Sequence, residues 1–122
     1  MTQGPAEAGV RSAIEHYFQG TYYADRARLE AAFHPTAVIE GYLEGQIVAE
    51  ARDAFINRLV AKGSAQPRGE PYDKRILSIV IEGKMAAVVA EVRVGQRLFR
   101  DVISVLQDNN AWSIRHKLYQ QQ

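Results

Sequence analysis

The chain contains no cysteine. Disulfides, thiolate nucleophiles and cysteine–zinc centres are therefore excluded, and the redox compartment is left open. Long apolar runs are also missing. The longest, Met85 to Ala90, is far short of the roughly 20 residues that span a bilayer. The start, Met1-Thr2-Gln3-Gly4-Pro5, has neither the basic n-region nor the apolar h-region of a secretion signal, so a cytoplasmic location is expected. No sign of charge dominates: 15 Lys and Arg stand against 14 Asp and Glu, for a net charge of +1. The basic residues are scattered, and neither nucleic acid nor a membrane surface is an expected partner. The histidines, His16, His34 and His116, show no HxH or HxxxH spacing, so no metal site is expected. A Gly-rich phosphate loop and a GxSxG elbow are absent as well, and no cofactor is expected.

What is present is the composition of one globular domain: 122 residues, 47% hydrophobic and 24% charged. One domain over 1–122 is expected, with residues 1–5 disordered. Val10, Ala13, Ile14, Tyr17 and Phe18 follow the spacing of one helix face and predict a helix over about 6–20. Asp25 is placed to cap a second, short helix through Phe33. It stops there because His34 precedes Pro35, a position that disfavours α geometry. Thr36 to Glu40 predicts a short strand that connects through Gly41 and Gly45 toward Ile47-Val48. A third helix over about 51–61 carries Phe55, Ile56, Leu59 and Val60 on one side and ends at Gly63. Residues 63–71 are loop by composition.

The C-terminal half predicts a meander. Turn signals at Gly83-Lys84, Gly95-Gln96 and Asp108-Asn109-Asn110 separate β-rich runs at 72–82, 85–94, 97–107 and 111–119. Two-residue loops place Ile81 opposite Ala86, Ile79 opposite Val88, Val92 opposite Phe99, Val88 opposite Ile103, Val105 opposite Ile114 and Gln107 opposite Trp112. One face then collects the apolar residues of all four strands, among them Leu77, Ile79, Val88, Val92, Phe99, Ile103, Trp112, Ile114 and Leu118. A slip of one residue would break that agreement. The fold expected is α+β: N-terminal helices packed on a curved, mainly antiparallel sheet of four strands.

Arg75, Asp101 and His116 interrupt the apolar face. In this register Asp101 lies opposite Ala90 and Leu118, and His116 lies opposite Ile103, which makes Asp101 and His116 diagonal neighbours. A carboxylate beside an imidazole raises the imidazole pKa. The pair is either a satisfied polar contact that fixes register or a proton relay, with Asp101 and His116 as candidate catalytic groups. Tyr17, Phe33, His34, Tyr42, Val92, Phe99 and Trp112 complete the expected pocket lining. The opposite sheet face carries Val80, Val89, Val102 and Leu106 inside a ring of charge. That pattern predicts a homodimer centred on Val89, Val102 and Leu106.

The carrying segments Ile14-Glu15-His16-Tyr17-Phe18-Gln19-Gly20, Phe33-His34-Pro35, Gly69-Glu70-Pro71-Tyr72 and Phe99-Arg100-Asp101-Val102-Ile103-Ser104-Val105-Leu106 give the chain a resemblance. It resembles the nuclear transport factor 2-like superfamily. Within that superfamily it is similar to the small bacterial branch called putative lumazine-binding, close to the polyketide cyclase-like (SnoaL-like) proteins. The resemblance implies a cone-shaped fold with a cavity between helices and sheet, and commonly a homodimer through the open sheet face. Relatives include isomerases, dehydratases, cyclases and epoxide hydrolases, and others that only bind ligands or partners. Three functions therefore stand side by side: a domain that binds a small apolar molecule in its cavity, a cofactor-free acid/base enzyme using Asp101 and His116, and a dimeric interaction module without catalysis.

Overall fold

A computed structural model describes residues 4–122. The chain folds as α1 (Pro5–Tyr23), α2 (Arg26–Ala32), β1 (Phe33–Leu43), β2 (Gln46–Ala51), α3 (Arg52–Lys62), a single 3₁₀ turn at Gln66–Arg68, then β3 (Lys74–Glu82), β4 (Met85–Val94), β5 (Arg97–Asp108) and β6 (Ala111–Gln121). Pro5 opens α1, a position where its missing N–H costs nothing. The expected disorder at 1–5 thus does not extend to Pro5, and residues 1–3 lie outside the described residues. The stripe Val10, Ala13, Ile14, Tyr17 and Phe18 is buried. Ala24 closes the helix in the left-handed region at φ 53°, and the Asp25 side chain caps α2 by accepting from the Arg28 amide at 3.2 Å.

The strands form one sheet of six in the order β2-β1-β6-β5-β4-β3. All pairs are antiparallel except β1 with β6, which is parallel. The four-stranded meander is therefore correct as far as it goes, and the segment before it is longer than expected. Pro35 stops α2 without stopping extended backbone, because the residue before proline is pushed toward β geometry. Phe33 leaves the helix at φ −106°, ψ 130° and the strand continues to Leu43. Pro35 sits where pairing with β6 is interrupted, between Phe33 and Val38, so its missing donor leaves no ladder position empty.

The predicted cross-strand partners hold for Ile81–Ala86 and Ile79–Val88, for Val92–Phe99 and Val88–Ile103, and for Val105–Ile114 and Gln107–Trp112. Asn109 and Asn110 both take positive φ, as the favoured two-residue hairpin turn requires.

Two bulges break the expected alternation. On β6 the register moves from Val105–Ile114 to Ser104–His116, leaving Arg115 as the extra residue. Every later side chain then changes face. Ile103 lies opposite Lys117 rather than His116, and Asp101 lies opposite Tyr119 rather than Leu118. On β3 the shift between Ile76–Ala90 and Ser78–Val89 turns Leu77 and Arg75 outward and Ile76 inward. Leu77 and Leu118 are exposed, and Arg75 forms an ion pair with Glu91 at 2.9 Å on the outer face.

The core lies between the helices and the concave sheet face, with Ile14, Leu29, Phe33, Ile39, Ile56, Val88, Ile103 and Ile114 nearly or wholly inaccessible. Two glycines permit its closest approaches. A Cβ on Gly9 would lie 2.3 Å from Trp112 Cδ1, and one on Gly41 would lie 2.0 Å from the Tyr119 carbonyl oxygen. The first lets α1 settle on the indole, and the second lets β1 pair closely with β6. The outer face exposes Val80, Val102, Leu106 and Leu118. Among the described residues no helix is long and apolar enough to cross a membrane.

Candidate functional site

Between α1, α3 and the inner face of β1, β4, β5 and β6 lies a cavity of about 340 Å³. Ile39, Leu43, Phe55, Leu59, Val92 and Phe99 supply its apolar walls. Its buried end carries Tyr17, Asp101 and Lys117, all nearly inaccessible to solvent. Its rim carries Arg58, Lys62 and Arg97.

The polar end is a single hydrogen-bonded chain. Lys117 Nζ donates to Tyr17 Oη at 2.7 Å, and Tyr17 Oη donates to Asp101 Oδ2 at 2.6 Å. Each member comes from a different element: Tyr17 from the inner stripe of α1, Asp101 from the middle of β5, and Lys117 from β6 just beyond its bulge. The Lys117 ammonium also lies 4.5 Å from the ring centre of Tyr17, 5.0 Å from that of Phe55 and 5.3 Å from that of Tyr119, close enough for cation–π attraction. Its other two N–H groups have no oxygen partner among the described residues. Asp101 Oδ1 is likewise buried without a hydrogen-bond partner.

Burial pushes the Tyr17 phenol well above its ordinary range, and the adjacent Asp101 pushes it the same way, so Tyr17 stays neutral. Burial lowers the Lys117 pKa against the pull of Asp101, and Arg58 adds a smaller push downward. A second inward lysine, Lys74, sits opposite Val92 and donates to the Arg93 carbonyl at 3.1 Å. Burial first, then repulsion from Lys117, brings it down to about 8. At the rim, Arg58 forks onto Glu50 at 2.5 and 3.2 Å, and Arg97 pairs with Glu44.

Of the residues anticipated from the sequence, Tyr17, Val92, Phe99 and Asp101 line this cavity. His116 does not. The Arg115 bulge turns it to the outer face, where Nε2 lies 3.6 Å from Glu40 Oε2, so Asp101 and His116 stand on opposite sides of the sheet and cannot exchange a proton directly. Phe33 is buried behind the wall, edge-on to Tyr17 at 5.5 Å and to Phe55 at 5.3 Å, and so positions both rings. His34 turns at the surface onto Thr36 Oγ1 at 2.8 Å. Tyr42 is exposed on the outer face beside Val102 and Leu118. Trp112 packs at the other end of the sheet, against α1 at Gly9. Sequence reasoning missed Lys117, Tyr119 and the α3 residues Phe55, Arg58 and Leu59. For Lys117 and Tyr119 no local signal existed: Ser113-Ile114-Arg115-His116-Lys117-Leu118-Tyr119 has no glycine or proline to mark a bulge, and either register gives a plausible face. For α3 the apolar stripe was visible, but not what it faced.

Comparison with known proteins agrees with this architecture. The family described as putative lumazine-binding matches residues 5–120. Among solved structures, the chain is similar to an NTF2-like protein of unknown function from Silicibacter pomeroyi DSS-3, with 28% identity, a TM-score of 0.87 and complete coverage of both chains. It is also similar to one from Shewanella baltica OS155, with 18% identity, a TM-score of 0.85, and 100% of this chain and 98% of that one covered. A third, from Methylobacillus flagellatus KT, gives 20% identity, a TM-score of 0.85, and coverage of 99% and 95%. No curated protein matches.

The depressed Lys74 pKa has a measurable consequence for stability. Below about 8 both the folded and the unfolded chain hold the proton, and the fold carries the full cost of the buried charge. Between there and the ordinary 10.5 the unfolded chain still holds the proton while the fold has released it, so stability rises with pH. Urea unfolding of wild type and Lys74→Met at pH 7 and pH 10 compares the fold with and without this group. Wild type should gain on the variant as pH rises. A constant gap would mean that Lys74 is charged and solvated in the fold.

Proposed function

The chain belongs to the putative lumazine-binding family, and we propose that it is a small-molecule-binding domain whose ligand occupies the cavity between helices and sheet. The observation that carries this reading is the cavity itself: about 340 Å³ of mostly apolar wall ending in the Lys117–Tyr17–Asp101 chain. Apolar walls with a few convergent polar groups are the usual composition of a ligand site, and the volume lies at the lower end of the common range. N-phenyl-1-naphthylamine, a neutral apolar fluorophore, should bind wild type with a rise in emission. Val92→Phe, which fills the cavity from β4, should weaken that binding by about tenfold or more while the protein keeps its circular dichroism spectrum. Binding that is absent in wild type, or indifferent to Val92→Phe, would remove the reading.

A second reading, acid/base catalysis without a cofactor, is supported by one specific feature. Asp101 presents a buried carboxylate oxygen with no partner in the cavity wall, where it is placed to act as a general base. A base of this kind abstracts protons next to a carbonyl. In D₂O, the α-hydrogens of 4-phenyl-2-butanone should then exchange faster with wild type than with Asp101→Asn, as followed by proton NMR. Equal rates in the two proteins would leave binding as the sole function of the site.

The outer sheet face supports a homodimer. Val102, Leu106 and Leu118 are exposed there, with Val89 half-buried beside Val102 on the neighbouring strand and Glu91 bridging Arg75 and Arg100 at the margin. An apolar centre inside a two-signed charged margin suits a second copy of the same face, because each copy brings both partners of an ion pair. Wild type should sediment as a dimer and Val102→Glu as a monomer. A monomeric wild type, or a variant that remains dimeric, would show that this face does not mediate association.

A further inference from the structure

The cavity is not electrically neutral. Its lining contains the basic side chains of Arg58, Lys62, Arg97 and Lys117 and a single carboxylate, Asp101. The two arginines are already paired with glutamates outside the lining. Lys117 and Lys62 have no carboxylate within ion-pair distance among the described residues, and neither has the adjacent half-buried Lys74, whose ammonium donates to a backbone carbonyl and feels Asp101, Glu70 and Asp73 only from farther away. Asp101 offsets one of these charges, and positive charge remains in excess around an apolar space.

The arrangement at the buried end sharpens this. A lysine buried for structural reasons usually contacts its carboxylate directly, since an unpaired buried charge is costly. Here Tyr17 stands between Lys117 and Asp101 and takes only one of the three ammonium hydrogens. The remaining N–H groups belong to a group that lines the cavity. In a low-dielectric site an anionic acceptor satisfies them better than a neutral one.

Resting on the binding reading above, the geometry points to an organic acid as the ligand: a molecule with an apolar, ring-sized body against Ile39, Phe55, Val92 and Phe99 and a carboxylate received by the Lys117 ammonium. A cationic ligand is disfavoured by the same accounting. It would meet Asp101 but also Lys117 and Lys62, with Lys74 close behind the wall. A neutral apolar ligand would leave two buried N–H groups unspent.

The test uses wild-type protein at pH 7 with bound N-phenyl-1-naphthylamine as reporter, displaced by 4-phenylbutyrate or by its isosteric amide, 4-phenylbutyramide. The two differ only in the charge of the head group. The carboxylate should displace the reporter at a concentration about tenfold or more below the amide, the ordinary worth of a charge-assisted hydrogen bond over a neutral one. In Lys117→Met that preference should disappear while the amide still competes. Should Lys117→Met not fold, the ¹⁵Nζ signal of Lys117 in ¹⁵N-lysine-labelled wild type, assigned with Lys117→Arg, provides the second measurement. It should move on saturation with 4-phenylbutyrate and stay with the amide. Equal displacement by the two compounds, a preference that survives in Lys117→Met, or an unmoved Lys117 signal would each overturn the assignment of an acid. Failure of the reporter itself to bind would instead remove the cavity-binding reading, and this inference with it.

Discussion

Tyr17 connects its hydroxyl to two buried charges at once, accepting from Lys117 at 2.7 Å and donating to Asp101 at 2.6 Å. Isolated buried ions are among the costliest features a fold can carry, and here the first-helix phenol makes the pair tolerable. The same contact ties α1 to the middle of the sheet, since Asp101 lies on β5 and Lys117 on β6. Removing the hydroxyl would leave a carboxylate and an ammonium facing a hydrophobic neighbour. The position of α1 over the sheet, the orientation of the Phe33 and Phe55 rings beside Tyr17, and the polarity of the cavity end therefore depend on one another.

That contact depends in turn on a single extra residue. Were Arg115 an ordinary strand residue rather than a bulge, the last strand would alternate strictly, His116 and Leu118 would face inward, and Lys117 and Tyr119 would face solvent. The bulge reverses this and brings the lysine beneath α1. It also sets the parallel pairing, in which Ile39 meets Lys117 and Gly41 meets Tyr119. Gly41 is required at that point because the Tyr119 carbonyl comes closer than any Cβ permits. Bulges commonly re-aim side chains next to sites, and this one exchanges an imidazole for an ammonium at the cavity wall.

The limits of legibility in the sequence follow from these particulars. The helix stripe through Tyr17, the Asp25 cap and the hairpin registers of β3, β4 and β5 were readable because each rests on local signals that reinforce one another: period, cap residue, turn residue. The inward direction of Asp101 followed from the β4–β5 register alone. The identity of its neighbour did not, because the energy that selects a bulge is tertiary. It comes from burying Tyr119 against Phe99, whose ring centres are 5.6 Å apart, and from pairing β6 with β1, a strand far away in sequence, as Val38 with His116 shows. The β1–β6 pair was invisible for a related reason. A proline near a strand start signals the end of a helix, and it says nothing about which partner the following residues will find.

Interposing a tyrosine between lysine and aspartate has a consequence for what the cavity can accept. A direct ion pair would have consumed the best donor and acceptor of each group on the other and left a closed polar core. Separation by a hydroxyl uses one oxygen of the carboxylate and one hydrogen of the ammonium, and leaves Asp101 Oδ1 and two Lys117 N–H groups unspent. Both residues are in the cavity wall, and the aromatic rings around Nζ favour its charged form without supplying an oxygen to receive it. Burial alone, by contrast, favours the neutral amine. The lysine is held between these opposing effects, so an incoming anion has leverage over its protonation: it restores the charge that burial weakens and receives a stronger hydrogen bond in return. A site built this way rewards a charged head group far more than the same shape without charge.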